Sequence, residues 1–255
     1  MTVISALIIA KNEEANIGPA IQSLKGLADE VIVVVDSSSA DRTGEIARNL
    51  GARTFVREWQ GYSASKAWAV EQAAGEWILW IDADERVTPQ LADEIRAFPF
   101  PISKAAACAF PRKAYFLGRW IKHCGWYPGY VTRLFRKDRA SFNDKAVHEG
   151  LVVDGETARL KHPLLHHTDP DLEHYLTKFN HYTGLAAVQQ AGAGKRFRIG
   201  DMIIGPPAAF VKMYLLKLGF LDGVEGFILS VFSAHYVLVK NLKLWELENI
   251  EGRRQ

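Results

Sequence analysis

The sequence predicts an α/β protein built on a doubly wound, mostly parallel sheet, and three observations support this. Apolar runs alternate with helical patterns through the first hundred residues. Two of the runs, VIVVV at 31–35 and WILWI at 77–81, lack polar alternation, which is typical of strands buried on both faces. Alternating strands and helices favour a parallel sheet with helices packed on its faces.

Each predicted element follows from a local pattern. The first-half strands are predicted at 3–10, 31–35, 53–56 and 77–81, and the helices at 16–27, 41–50, 62–74 and 88–97. Gly51 ends the second helix, and Thr88 followed by Pro89 starts the fourth. Beyond residue 100 the pattern changes to short strands at 105–111, 131–137, 147–153 and 159–167, followed by long helices from Asp171 onward. We therefore predict three regions: 1–100, 101–170 and 171–255.

Composition excludes several classes of protein. The chain has 255 residues, of which 48% are hydrophobic and 24% charged, so a sizeable core is expected and disorder is not. A formal net charge of +2 does not indicate a nucleic-acid partner. Cys108 and Cys124 have no zinc or disulfide spacing, which predicts packing roles in a reducing compartment. No signal peptide and no clean membrane span is expected, which predicts a cytoplasmic protein.

Polar residues follow three of the predicted strands, at 10–14, 36–41 and 82–86. In sheets of this type, ligands bind beyond the carboxyl ends of the strands. Asp82 and Asp84 are two residues apart after a buried strand, so both can face one point beyond the sheet edge. Carboxylate oxygens suit Mg²⁺ or Mn²⁺, and a diphosphate would supply further ligands. The competing interpretation is a solvated turn that uses aspartate for its geometry.

Asp36 ends the second buried strand, five residues before Asp41, which is interpreted as a helix cap. A carboxylate at Asp36 can accept a hydrogen bond from a base N–H or a ribose hydroxyl. The order strand, NEE, strand, VDSSSADRT, helix and GEWILWIDADE resembles family 2 glycosyltransferases with the GT-A fold. More narrowly, the chain resembles bacterial lipopolysaccharide core β-glucosyltransferases. The resemblance covers nearly the whole chain.

The resemblance implies a nucleotide-sugar site, with residues 1–100 forming the nucleotide-binding half. The matching positions are Ala10, Asn12, Glu13, Asp36, Lys66, Asp82, Ala83 and Asp84. Asp36 matches the family's base- or ribose-binding acid, and Lys66 matches a basic residue near the nucleotide, unless it is an ordinary solvated lysine. Asp82 and Asp84 match the metal motif, with Asp84 the expected direct ligand. Some GT-A enzymes use a histidine late in the sequence as a third metal ligand. His166 and His167 are the candidates for this role, and His167 is the one included in the predicted metal site. The alternative is that both histidines are structural.

The second half is expected to bind the acceptor. Glu149 in VHEGL is the predicted general base, next to His148, because a carboxylate that accepts the proton of a sugar hydroxyl accelerates transfer by roughly 10²–10⁴-fold. The alternative is a surface glutamate beside a packed histidine. The residues predicted to contact the acceptor sugar are Trp126, Tyr127, Tyr130 and Arg133, although aromatic residues in such a segment are also typical of a core.

The last region, 171–255, is helical and rich in apolar residues with cationic flanks, which is typical of helices that lie in a membrane interface. Core helices or contacts in a homo-oligomer are the alternatives. The expected function is metal-dependent, inverting transfer of a hexose, with UDP-glucose as donor, to a membrane-bound glycan. The expected location is the inner face of the bacterial inner membrane.

Two other functions fit the same sequence. A polyprenyl-phosphate monosaccharide synthase would use phosphate as the acceptor and would need little help from a base. A catalytically silent nucleotide-sugar-binding scaffold would retain donor binding without transfer.

Overall fold

The computed structural model describes residues 3–100, 102–142 and 150–250. The helices are α1 Glu14–Ser23, α2 Thr43–Asn49, α3 Tyr62–Gln72, α4 Pro89–Arg96, α5 Leu172–Gly192, α6 Ile199–Val211 and α7 Gly223–Ile250. The strands are β1 Ile4–Ala10, β2 Glu30–Asp36, β3 Arg53–Arg57, β4 Trp77–Asp82, β5 Glu85–Val87, β6 Ala105–Phe116, β7 Arg119–Trp120, β8 Gly129–Arg136, β9 Ala140–Phe142, β10 Leu151–Val153, β11 Glu156–Arg159 and β12 Leu164–Asp169. The predicted catalytic residues His148 and Glu149 lie outside the described residues.

The main sheet has the strand order β3-β2-β1-β4-β8-β6-β12-β5, with β7 and β11 paired to β6. The pairs β2–β3, β1–β2 and β1–β4 are parallel, whereas β4–β8, β6–β8 and β5–β12 are antiparallel. A separate two-stranded sheet joins β9 and β10. The predicted fold class is therefore confirmed. The parallel strands β3, β2, β1 and β4 are continued in the same sheet by strands that pair antiparallel.

Side-chain alternation along the parallel strands builds a core on each face of the sheet. On one face, Ile4, Ala6 and Ile8 of β1 belong to a cluster with residues of α1, α2 and α4. On the other face, Leu7 clusters with Ala69 of α3 and with inward residues of β2 and β4. Because both faces of β1 are buried, its sequence reads as a continuous apolar run.

The starts of two elements show how local sequence sets the fold. Thr88 caps α4, its Oγ1 accepting a hydrogen bond from the N–H of Leu91 at 3.1 Å, and Pro89 follows at the first helical position. Gly51 follows α2 with φ +84°, a conformation that glycine adopts without steric cost. These two signals are confirmed.

Several strands differ from the sequence prediction, among them β7 and β9, which were not predicted, and two of the differences bear on the site. The segment predicted as one strand at 159–167 is interrupted, because β11 ends at Arg159 and β12 begins at Leu164, directly after Pro163. The short strand β5 was not predicted because it directly follows the acidic turn and has only three residues. β5 pairs antiparallel with β12, so that His166 lies opposite Glu85. This long-range pairing brings a histidine to the acidic turn.

The chain forms two compact units. The first comprises residues 1–112 and 129–166, and the second comprises residues 113–128 and 167–255. The second unit has its own core, which includes Phe116, Ile121, Cys124 and Leu229. Cys108 and Cys124 are both free thiols in buried positions, in agreement with packing roles.

The second unit exposes many large apolar side chains between residues 199 and 227, a stretch called here the apolar segment. α6 continues through the π-helical residues Lys212–Leu216, and a 3-10 turn at Gly219–Asp222 precedes α7. The exposed side chains are Ile199, Ile203, Ile204, Val211, Leu215, Leu216, Leu218, Phe220, Leu221, Val224 and Phe227. Two helical stretches, Ile199–Leu216 and Gly219–Asn249, are long and apolar enough to cross a membrane by length and composition. The expectation that no stretch reaches this length is thus wrong, because Pro206 and Pro207 do not interrupt the helix.

Candidate active site

The loops after β1 and β2 are fastened to each other by side-chain hydrogen bonds. Oδ1 of Asn12 accepts from the N–H of Ala40 at 2.9 Å, and the N–H of Asn12 donates to Oγ of Ser39 at 3.1 Å. The N–H of Glu13 donates to Oγ1 of Thr43 at 2.8 Å. Asn12 has φ +54°, which asparagine tolerates better than most residues. Asn12 and Glu13 therefore hold the shape of the two loops that follow Ala10 and Asp36.

Asp36 is a buried carboxylate at the carboxyl end of β2, its side chain only 1% exposed. Its Oδ1 accepts hydrogen bonds from both the N–H and the hydroxyl of Ser38 at 2.8 Å, and these bonds hold its pKa below the ordinary value. Its Oδ2 is buried and accepts no hydrogen bond among the described residues, and the nearest cation, Nζ of Lys11, is 3.4 Å away. A buried carboxylate oxygen in this state is suited to accept a bond from a ligand.

The turn after β4 contains a buried ion-pair network. The guanidinium of Arg133, on β8, contacts Oδ2 of Asp82 and lies 2.8 Å from Oε1 of Glu85. Glu85 is fully buried and Arg133 is 5% exposed, whereas 43% of the Asp82 side chain remains exposed. Arg133 therefore neutralises the acidic turn from its buried side and leaves part of the Asp82 side chain accessible to solvent.

The charges in this network determine the protonation of the two acids. Burial raises the pKa of Glu85 above its ordinary value, although the charge of Arg133 opposes that effect. Burial also opposes ionisation of Asp82, but the charges of Arg133 and Lys66 outweigh it and hold the pKa of Asp82 below its ordinary value. Asp82 therefore ionises at a lower pH than Glu85.

Arg86 fixes the backbone of the same turn. Its guanidinium donates to the carbonyl oxygens of Ala83 and Glu85 at 2.7 and 2.8 Å and to Oδ1 of Asn16 on α1 at 3.2 Å. Ala83 is 3% exposed, so a larger side chain would not fit between the two aspartates without displacing its neighbours. The position of Asp84 is consequently set by contacts on both sides of it.

Lys66 is buried on α3 and lies close to the aromatic ring of Trp80. Its Nζ is 3.8 Å from the ring centroid, and the guanidinium carbon of Arg133 is 4.0 Å from the same centroid. Lys66 and Arg133 both lie over this ring, and both contribute positive potential at Asp82. This end of the sheet therefore favours negative charge.

Asp84 and His166 form the second polar pair of the site. Oδ2 of Asp84 is 3.3 Å from Nε2 of His166, and both side chains are largely buried. Two ligands about 2.1 Å from one octahedral cation lie about 3 Å apart, so this spacing fits adjacent positions on a divalent metal ion. Among the described residues no group of three acidic, histidine or cysteine side chains could hold a metal ion. A metal on this pair would take its remaining ligands from a bound molecule and water.

The remaining predicted residues lie elsewhere. His167 stacks on Tyr115, with the ring centroids 4.9 Å apart, and both belong to the second unit. Trp126 packs against Phe116 in the core of that unit, whereas Tyr130 is exposed on β8 of the first unit. The sequence predicts that Arg133 contacts the acceptor, but in the structure its partners are Asp82 and Glu85.

Sequence reasoning missed Glu85 and Arg86 at the acidic turn and gave Arg133, on β8, a different role. Strict alternation does not give the face of Arg133, because β8 has a register shift against β6 at this point, and Val131 and Phe135 face opposite clusters. A signal for Arg133 exists nonetheless, since it stands inside a predicted strand directly before two apolar residues. A cation at such a position indicates a buried acidic partner. The identity of that partner depends on the pairing of β4 with β8 and cannot be read locally.

Residues 5–149 match the model of glycosyl transferase family 2. A glycosyltransferase of Rickettsia felis is 33% identical over 96% of this chain and 90% of its own length. The lipopolysaccharide core biosynthesis glycosyltransferase LpsC of Rhizobium meliloti is 30% identical over 98% of this chain and 94% of its own length.

Solved structures share the fold. Glucosyl-3-phosphoglycerate synthase of Mycobacterium tuberculosis, in complex with Mn²⁺, uridine diphosphate and phosphoglyceric acid, superposes with a TM-score of 0.51. The two proteins are 18% identical, and the match covers 76% of this chain and 79% of the other. The family match over more than half the chain and the near full-length relatives agree with the geometry of the site. The chain is a family 2 glycosyltransferase with the GT-A fold.

Proposed function

We propose that this enzyme is an inverting hexosyltransferase that uses a UDP-sugar, with glucose as the best-supported hexose, and a membrane-bound lipopolysaccharide core glycan as acceptor. The observation that carries the proposal is the pair of Asp84 and His166, 3.3 Å apart beside the acidic turn at the carboxyl end of β4. Supporting it are the relative LpsC, named for lipopolysaccharide core biosynthesis, and a structural neighbour that holds uridine diphosphate and Mn²⁺.

The nucleotide-sugar half comprises residues 1–100 in this proposal. Oδ2 of Asp36, buried and without a hydrogen-bond donor among the described residues, accepts an N–H of the uracil base or a hydroxyl of the ribose. Lys11, half exposed at 3.4 Å from that oxygen, lies beside the base in this proposal, and the small, buried Ala10 precedes it at the end of β1. Asn12 and Glu13 act indirectly, because they hold the two loops in position.

The diphosphate is proposed to lie at the acidic turn. Asp84 and His166 would hold Mg²⁺ or Mn²⁺, and Asp82, whose side chain is partly exposed, precedes Asp84 by two residues. When bound, such a cation neutralises the negative charge that develops on the leaving diphosphate. Lys66 and Arg133 supply positive field near Asp82, and Arg133 prevents the acidic residues from repelling the diphosphate.

Glu149 is proposed as the general base that accepts the proton of the acceptor hydroxyl during in-line attack on the sugar C1. This role rests on the sequence, as do a supporting role for His148 and acceptor contacts by Trp126 and Tyr130. Attack from the opposite face of an α-linked donor gives a β-linked product. Residues 101–170 form the acceptor half in this proposal.

The enzyme is proposed to lie at the cytoplasmic face of the bacterial inner membrane, held there by the apolar segment. The side chains of that segment are exposed, and no residue of Ile199–Leu216 is buried, so α6 is not a core helix, whereas α7 contributes Leu229 to the core of the second unit. Lys212 and Lys217 are exposed within it and form no ion pair among the described residues, whereas Glu225 pairs with Arg119. An exposed apolar surface with unpaired cations favours an anionic bilayer over a neutral protein partner.

The proposal is tested by transfer from UDP-glucose to a panel of lipopolysaccharide core acceptors, followed by linkage analysis of the product. Glu149→Gln should lower kcat by about 10²–10⁴-fold because the acceptor proton has no base. The matched control Glu156→Gln, on the exposed strand β11, should retain activity. A mild effect of Glu149→Gln would instead favour a phosphate acceptor, and UDP binding without transfer to any acceptor would favour a silent scaffold.

A further inference from the structure

One face of the second unit carries a strip of aromatic side chains together with two lysines. None of these residues belongs to the proposed donor site. Lys113 and Tyr115 are two residues apart on β6, so their side chains share a face of the strand. Trp120 of β7 lies directly opposite Tyr115 in the antiparallel pair and therefore projects on the same side. The ring of His167 stacks on Tyr115, and the ring of Tyr127 meets Trp120 edge-on at 5.4 Å.

Two ammonium groups converge on this strip. Nζ of Lys113 is 4.2 Å from the centroid of Trp120, and Nζ of Lys122 is 4.7 Å from it, so the two charges are at most about 9 Å apart. Both charges lie within 5 Å of the centre of one indole ring, so an anion at the edge of that ring would be attracted by both.

Neither lysine is neutralised by a carboxylate among the described residues. The acids of the second unit that lie near this part of the sequence are engaged elsewhere: Asp169 pairs with His174 and Lys178, and Glu225 pairs with Arg119. Asp222 is buried and accepts from the backbone N–H groups of Lys122 and His123 as well as from the His123 ring. The bond from the N–H of Lys122 to Asp222 fixes the backbone there and does not involve the ammonium group of Lys122.

Trp120 provides a further polar group. Its Nε1 is buried and has no hydrogen-bond acceptor among the described residues, although an indole N–H in such a position is normally bonded. Aromatic faces pack against the apolar faces of sugar rings, while lysines and an indole N–H recognise anionic oxygens. The combination is unlike an ordinary core, since Lys122 and His167 are exposed.

We propose that this strip binds an acidic sugar, meaning a sugar ring that bears a phosphate or a carboxylate, with Lys113 and Lys122 holding the anionic group and Trp120, Tyr115 and Tyr127 contacting the ring. The inference rests on the proposed function, because it makes the strip a subsite for the acceptor glycan. It specifies that the acceptor glycan carries a negatively charged sugar.

The test follows the indole N–H signal of Trp120 in the full-length protein by NMR, assigned by its absence in Trp120→Phe. Glucose 6-phosphate and glucuronate should shift this signal saturably, with affinities at least about tenfold higher than those of glucose or inorganic phosphate. Lys113→Met and Lys122→Met should each weaken glucose 6-phosphate binding by at least about fivefold, whereas Lys195→Met, in the same unit, should not.

Three results would overturn the inference: equal binding of glucose and glucose 6-phosphate, inorganic phosphate binding as tightly as the sugar phosphate, or anionic phosphatidylglycerol vesicles displacing the sugar phosphate from the strip. The last result would identify a lipid headgroup site. UDP affinity, measured by calorimetry on the same samples, should be unchanged in the lysine variants. A wild-type protein that binds glucose 6-phosphate but not UDP would refute the proposed function, and the reverse pattern would refute only the acidic-sugar site.

Discussion

The acidic turn of the first unit and the apolar segment of the second both place side chains where a globular protein rarely has them. In the turn, charges lie inside: Glu85 is fully buried, and Arg133 pairs with it and with Asp82. In the apolar segment, Leu216 and Val224 are 73% and 68% exposed. The first anomaly is resolved within the chain, because each buried charge has its counterion. The second has no partner among the described residues, which points to a partner outside the chain.

The largest expected effect concerns the buried charges. Arg133→Met should destabilise the protein by about 3–5 kcal/mol, because it leaves the carboxylates of Glu85 and Asp82 without their counterion. Urea unfolding measures this loss. The matched control is Arg136→Met on the same strand, where the ion pair with Asp138 is exposed, and its unfolding midpoint should stay close to that of the wild type. Equal stability of Arg133→Met and the wild type would show that the acidic turn does not depend on its cation.

A smaller effect is expected at the apolar segment, and on a different measurement. Leu216→Glu should reduce the fraction of protein that sediments with anionic vesicles by about tenfold or more, because inserting a leucine side chain contributes about 1.5–3 kcal/mol and a carboxylate is repelled. Val56→Glu is the control, since Val56 is 58% exposed on β3 of the first unit. High salt should release part of the wild-type protein. If Leu216→Glu and the wild type sediment equally, the apolar segment contacts something other than a membrane.

The two regions also differ in how far the sequence predicts them. The buried runs before Asp36 and Asp82 place both acids at the carboxyl edge of the sheet, because parallel strands and their connections are local patterns. The choice between His166 and His167 is not local. It depends on the register of β12 against β5, and a shift of one residue would exchange the two side chains.

The partners of Arg133 are equally hidden from the sequence, since Arg133 and Asp82 meet only through the antiparallel pairing of β4 with β8. The apolar segment is visible in composition, but composition does not tell whether its side chains face a core or the exterior. Only the fold decides this, and it leaves most of them exposed.

The smallest effect on stability is expected at Glu30, which begins β2 at the opposite end of the sheet from the acidic turn. Burial opposes ionisation of Glu30, but hydrogen bonds from Ser5, Ala74 and Arg53 outweigh it and lower the pKa of Glu30. A lowered pKa means that ionised Glu30 stabilises the fold above its unfolded pKa of about 4.3 and that this contribution is lost as the pH falls through the folded value.

The free energy of unfolding of the wild type should therefore exceed that of Glu30→Gln most at pH 7, and the difference should shrink below about pH 4. Unfolding curves of both proteins from pH 7 to pH 3 measure this. A difference in unfolding free energy that grows as the pH falls would contradict the lowered pKa of Glu30.

The central claim is that Asp84 and His166 form a site for a divalent cation and, with it, for the diphosphate of the donor. Its most direct test is the affinity for UDP, measured by calorimetry with Mn²⁺ and with excess EDTA, in the wild type, Asp84→Asn and His166→Gln. We predict that Mn²⁺ strengthens UDP binding in the wild type by at least about tenfold, since a shared cation links the carboxylate to the diphosphate. Both variants should lose most of this strengthening and retain the weaker, metal-independent binding. Equal UDP affinity of the wild type with and without Mn²⁺ would contradict the claim.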